Sequence, residues 1–172
     1  MAEECGQRAN SKGGIVSRFA ANTSVSVEKS RAEIEKLLQR YGASQFVSGW
    51  DESCARIGFV IRSRAIRFDL PLPDRHSREF THTPARGNRR SVIEAEKAWE
   101  QACRSRWRAL ALVIKAKLEA AEVGISTIEQ EFLAWTVLPG GSTVAEQLEP
   151  QITAAIEGGH APRLLIGDGG AS

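Results

Sequence analysis

The sequence predicts an α+β domain: a three-stranded antiparallel meander covered by one long helix, with an N-terminal helix and two short C-terminal helices. Three observations carry this expectation. Ser91 to Val123 contains no proline or glycine and is rich in strong helix formers. At about 100° per residue, Val92, Trp99, Cys103, Trp107, Leu110, Ile114, Leu118 and Ala121 fall on one broad face of that helix. Upstream, Gln45 to Leu70 breaks into three short apolar runs separated by polar residues, as a strand meander does. Such a sheet must bury its apolar face, and the long helix is the element able to cover it.

The elements follow in chain order. Residues 1–23 are small and polar without periodicity, which predicts a disordered tail before a single domain spanning 24–165. Val27, Ile34, Leu37, Leu38 and Tyr41 recur at helical spacing, with Ser26 placed as N-cap and Gly42 as the residue that ends the helix. The strands are expected at Gln45–Trp50, Ala55–Ile61 and Arg64–Leu70. Alternation is clearest in the last, where Ile66, Phe68 and Leu70 share a face with Arg64. Arg62-Ser63 makes a tight connection without the Asn-Gly signature of a two-residue hairpin. Pro71 and Pro73 stop the third strand, and the stretch to Arg90 has no regular period.

After the long helix, Ser126 to Glu129 reads as a capping box, and Thr143 to Glu146 as a second. Pro150 lies inside the last helix, so a kink or break is expected there. Residues 166–172 are expected to form a flexible C-terminal tail.

Composition narrows the functional classes. Hydrophobic residues at 42% and charged residues at 26% are values of an ordinary globular domain. No apolar run is long enough to span a membrane, and the N-terminus lacks the apolar core of a secretory signal. Cys5, Cys54 and Cys103 have no metal-type spacing and are odd in number, which suits free thiols and a cytoplasmic setting. Net charge is +2, but it is unevenly spread: Arg56 to Lys117 holds 15 Lys or Arg against 6 Asp or Glu, while the rest holds 8 against 15. A basic middle flanked by acidic ends fits an anionic partner, or mutual neutralisation within the fold.

Catalysis finds little support. The chain has no nucleophile elbow, phosphate-binding loop or dinucleotide fingerprint. Asp69, Asp74, His76, Glu79 and His82 lie close in sequence, but Arg75 and Arg78 are interleaved with them as ion-pair partners. No catalytic residue, metal site or cofactor is therefore expected. The positive reading is nucleic-acid binding through Arg56, Arg62, Arg64 and Arg67 of the strands, Arg86, Arg89 and Arg90 of the loop, and Lys97, Arg104, Arg108 and Lys115 of the long helix. Arrays of this kind bind phosphate backbones by releasing counterions. On a helix, the same cations can also serve as a solvated face.

VEKSRAEIEKLLQRYGASQF, IRFDLPLPDR, RWRALALVIKAKLEA and FLAWTVLPGGSTVAEQLEPQI resemble segments of a group of small, uncharacterised proteins encoded by bacteriophages and prophages. The resemblance covers about residues 24–165 and implies a phage origin and a bacterial host cytoplasm, without supplying site residues. It narrows the roles to two. One is non-catalytic binding of single- or double-stranded DNA in support of phage replication or recombination. The other is inhibition of a host defence system or host enzyme by protein contact. The element order is also similar to the core of phage single-strand annealing proteins, a likeness of fold alone. Expected partners are thus DNA or a host protein, with self-association allowed and no membrane.

Overall fold

A computed structural model describes residue 20 and residues 22–159. The C-terminal tail expected at 166–172 lies outside the described residues, as does the tail expected at 1–23 except for Ala20, Asn22 and Thr23. The order is α1 (Val27–Arg40), β1 (Ser44–Trp50), β2 (Cys54–Ile61), β3 (Arg64–Pro71), α2 (Arg78–Thr81), α3 (Val92–Glu122), α4 (Ile128–Glu131), a 3-10 turn (Leu133–Trp135) and α5 (Val144–Glu157). The fold is α+β. Its three strands form one antiparallel sheet in the order β1-β2-β3, as the meander expectation requires.

Local chemistry sets each boundary. Ser26 caps α1 by accepting from the Lys29 amide, and the helix ends where Gly42 takes φ +79°, a conformation that suits a residue without Cβ. Asp51 accepts from the amides of Ser53 and Cys54 at 2.7 and 2.8 Å, which turns β1 into β2 directly after Trp50. At the next corner, Arg62 and Ser63 adopt φ 47° and 61°, and Ile61 pairs with Arg64. The connection is therefore a two-residue hairpin with both central residues left-handed, built without the usual Asn-Gly. Inside the aperiodic stretch after β3, one short helix forms around the buried Phe80.

Alternation gives the sheet two unlike faces. Ala55, Ile57, Phe59, Ile61, Ile66 and Phe68 point inward and are buried, whereas Arg56, Arg67 and Asp69 lie on the open face. Onto the inner face pack Ile34 and Leu38 from α1 and Trp107, Leu110, Ala111, Ile114 and Leu118 from α3. α4 and the 3-10 turn close one end: Phe132 meets Phe59 and Phe68 edge-on, and Trp135 stacks on Phe68 at 4.9 Å. Cys54 is a free thiol, buried at the start of β2.

The long helix follows its apolar stripe with one correction. Trp107 to Leu118 are core, but Val92 is 85% exposed, because α3 begins beyond the edge of the sheet and its first turn has nothing to cover. The capping box after α3 is also displaced by one residue from expectation: Thr127 and Gln130 bond reciprocally. Thr143 and Glu146 form the second box as expected. α5 is assigned as one helix through Pro150, so the expected break does not occur. In the sixth residue after its start, proline costs the Glu146 carbonyl its amide partner, and an exposed carbonyl can turn to water instead.

The root of α5 is tied to the sheet. Val137 donates to the Ala65 carbonyl at 2.8 Å, and Arg67 reaches both the Gly141 carbonyl at 2.6 Å and the Glu146 carboxylate at 2.7 Å. Partial burial pushes the Glu146 pKa up, but the Thr143 amide and Arg67 outweigh it and hold the carboxyl below its ordinary value.

Two outcomes are expected. Ile114→Ala should cost about 2–5 kcal/mol in urea unfolding, while Val92→Ala on the same stripe should stay within about 0.5 kcal/mol. Glu146 has a lowered folded pKa, so its contribution is complete above its unfolded pKa of about 4.3 and is lost as pH falls through the folded value. The stability difference between the protein and Glu146→Gln should then be constant above the unfolded pKa and narrow as pH falls through the lowered folded value, read from unfolding midpoints across pH.

Candidate functional site

The eleven basic residues singled out in the sequence do not form one surface. Arg56 and Arg67 sit on the open face of the sheet and share Asp69, at 2.5 and 3.1 Å. Arg104, Arg108 and Lys115 are on α3, on the other side of the sheet, and pair with Glu100, Glu33 and Glu119. Arg90 donates to the Glu79 and Phe80 carbonyls, holding the loop against the start of α3. Arg62 and Arg64 flank the hairpin near Glu129, whose carboxyl is lowered mainly by its own backbone amide and further by these two cations. Arg62, Arg86, Arg89 and Lys97 are exposed and form no ion pair among the described residues. Much of the basic middle segment is therefore answered by acids from within the chain.

The loop after β3 does not assemble its titratable residues either. Among the described residues, no group of three or more His, Cys, Asp or Glu side chains is placed to hold a metal ion. Asp69 is committed to two arginines, Asp74 accepts from the His76 amide at 2.9 Å, and His82 Nδ1 lies 2.9 Å from the Thr81 hydroxyl. Arg75 pairs with Glu96 of α3 at 2.5 Å rather than with a carboxylate of its own loop.

What the structure does assemble is a cleft of about 430 Å³ where the first turns of α1, the N-terminal half of α3, the end of β1 and Leu72 meet. Three indoles, from Trp50, Trp99 and Trp107, line it together with Arg31, Arg104 and Glu100. Each placement has a local cause. Trp50 has the inner-face parity of β1 but is the last residue of the strand, beyond the helical cover, and is 68% exposed. Leu72 is fixed by its amide, which donates to the Ser53 carbonyl at 2.7 Å. Trp99 donates its indole N–H to the Pro73 carbonyl at 2.7 Å, anchoring α3 to the chain leaving β3.

Arginines lie over the indoles. The Arg31 guanidinium carbon lies 5.1 Å from the Trp50 ring centre and 5.9 Å from that of Trp107, and Arg31 also donates to the Ser48 hydroxyl. Its Nε is buried without a hydrogen-bond partner. Arg75 lies 4.8 Å from the Trp99 ring centre. Cation–π contacts of this kind contribute about 0.5–2 kcal/mol, more as the pair is desolvated. Arg104 is steadied by Gln101 at 2.8 and 3.1 Å, and Arg106 donates to the Pro71 carbonyl beside the cleft.

Facing these cations, Glu28 lies below its ordinary pKa, held there first by its own backbone amide and then by Ser26. Cys103 also lines the cleft, but burial pushes its thiol up, away from the thiolate that nucleophilic chemistry requires. The arrangement is suited to stacking flat groups, with Arg31 and Arg104 in the lining balanced by Glu28 and Glu100.

Sequence reasoning placed Trp99 and Trp107 in the core and left Trp50 and Arg31 without a role. Trp107 is core, whereas Trp99 is half-buried at the cleft. One signal for Arg31 was present: it stands four residues after Val27 and three before Ile34, a cation on the apolar stripe of α1. Arg31→Met should keep the stem but lose both ring contacts, lowering stability by about 1 kcal/mol. In fluorotryptophan-labelled protein the fluorine resonances of Trp50 and Trp107 should shift, and that of Trp135 should not. Comparison of the chain with protein-family models, with curated proteins and with solved structures finds no match.

Proposed function

We propose that the protein is a non-catalytic nucleic-acid-binding protein that takes single-stranded DNA at the tryptophan cleft. One observation carries this reading: Trp50 is 68% exposed at the rim of the cleft, and its ring is held by the Arg31 guanidinium 5.1 Å from its centre. An indole held in this way is a platform for a base, and base stacking tolerates any sequence because every base has a flat face. Arg104 and Arg106 beside the cleft supply positive charge for the phosphates. The reading keeps the nucleic acid expected from the sequence and moves its centre from the helix ladder to the cleft. In duplex DNA the bases are stacked on one another, so a stacking platform favours single strands.

With the phage resemblance, the reading implies an activity in the cytoplasm of a bacterial host, in support of phage replication or recombination. The competing reading, inhibition of a host defence system or host enzyme, draws on a different surface, the exposed apolar stripe of α5.

The test is a titration of labelled oligonucleotides of equal length, single- and double-stranded, followed by fluorescence anisotropy. Single strands should bind more tightly, and affinity should fall as salt rises. Trp50→Ala should weaken single-strand binding about 5- to 150-fold, the loss of one stacked base at about 1–3 kcal/mol. Equal affinity for duplex, or a Trp50→Ala variant that binds as well as the parent, would refute the proposal.

A further inference from the structure

Among the described residues, α5 is an amphipathic helix whose apolar stripe stays largely exposed. It is held at its root by Glu146 and Val144, and beyond that its backbone approaches the 3-10 turn and no other helix or strand. None of its residues is buried. Val144, Leu148, Ile152 and Ile156 recur every four residues on one side, and Leu148, Ile152 and Ile156 are 42%, 55% and 55% exposed. Its charged residues are Glu146, Glu149 and Glu157, with no Lys or Arg. An apolar stripe of this kind with only acidic charge fits an apolar groove with a basic rim.

The same chain carries such a groove. Between α1 and α3, on the side away from the sheet, a depression of about 570 Å³ is lined by Ala32 and Leu37 and ringed by Lys29, Lys36, Arg40 and Lys115. Glu33, its one acidic lining residue, is committed to Arg108. Lys115 and Arg40 make only long contacts to exposed carboxylates, 3.6 Å to Glu119 and 3.8 Å to Glu122.

We infer that α5 of one copy docks into the α1–α3 groove of a second copy. The helix cannot reach the groove of its own chain while its root stays in place. Arg67 fixes that root from the open face of the sheet, and the groove lies on the outer side of the helical layer. A helix of fourteen residues is about 21 Å long. Pairing α5 with α5 would bring together two helices that carry no Lys or Arg, whereas the groove offers lysines. The contact is heterologous, using two different surfaces, so it propagates head to tail and ends as a closed ring or an open chain.

The experiment is sedimentation velocity on the full chain without nucleic acid, from about 5 to about 200 µM. The parent should show a sedimentation coefficient that rises with concentration and falls back as salt screens the rim. Leu148→Asp combined with Ile152→Asp removes the stripe from exposed positions, and Lys36→Glu combined with Lys115→Glu reverses the groove. Each pair should leave the circular dichroism unchanged and the protein monomeric. Mixed together, these two monomeric variants retain one intact helix and one intact groove, and should form a one-to-one complex and nothing larger. A parent that stays monomeric throughout, as it would if the true occupant were a foreign acidic helix, overturns the inference. So does a groove variant that associates like the parent, or a mixture that stays monomeric.

Discussion

The ridge of α3 from Trp107 to Leu118 against the inner face of the sheet is the contact on which the rest of the molecule depends. A sheet with one apolar face must bury that face against another element, and here the helix does so. Ile114 and Leu118 are fully buried, and Ile34 and Leu38 of α1 complete the same layer. Because α3 is 31 residues long and the sheet is not, the helix overruns the sheet at its N-terminal end. That overrun leaves Val92 and Ile93 in solvent and carries Trp99 and Arg104 past the sheet to form a wall of the cleft. One packing event therefore sets both the core and the place of the candidate site.

Charge is arranged around that contact. The acidic ends of the sequence answer its basic middle: Glu33 of α1 meets Arg108, Glu131 meets Lys117, and Glu146 meets Arg67. The first and third join residues 75 and 79 positions apart in the chain, and the second joins two consecutive helices. Partly exposed pairs of this kind contribute up to about 1 kcal/mol each, so their effect lies less in stability than in orientation. Arg67 is the clearest case, because the direction in which α5 leaves the sheet follows from its bonds to Gly141 and Glu146. The uneven charge distribution along the chain thus has an internal use before any external partner is considered.

Legibility followed the length of the repeating pattern. The alternation in Arg64–Leu70 and the stripe in α3 each bury several residues at once, so their periods survive in the sequence and the layers could be read from it. Features that depend on an end could not. Val92 obeys the stripe but has no sheet beneath it, and Trp50 has inward parity but no helix above it. The capping box settled on Thr127 rather than Ser126 because the two differ by a single step, and Ser126 instead bonds Glu131. Pro150 was read as a break from its intrinsic cost, yet on an exposed helix that cost is one unpaired carbonyl. Arg31 was legible in part: its position on the apolar stripe of α1 marks a cation that must find cover, but the two indoles that cover it come from β1 and α3.

The cleft and α5 also differ in how the fold supports them, and this bears on what each can do. The cleft is built where three rigid elements converge, with Trp99 bonded to Pro73, Leu72 to Ser53 and Arg31 to Ser48. Its indoles are held before any ligand arrives, so binding there loses little to the ordering of side chains. α5 is fixed at one end only, and its apolar stripe projects into solvent. A site of the first kind discriminates by shape and stacking. A helix of the second kind gains by burial and serves to join one folded unit to another. The two surfaces share no residue, so a ligand in the cleft and a partner on α5 can be held at the same time.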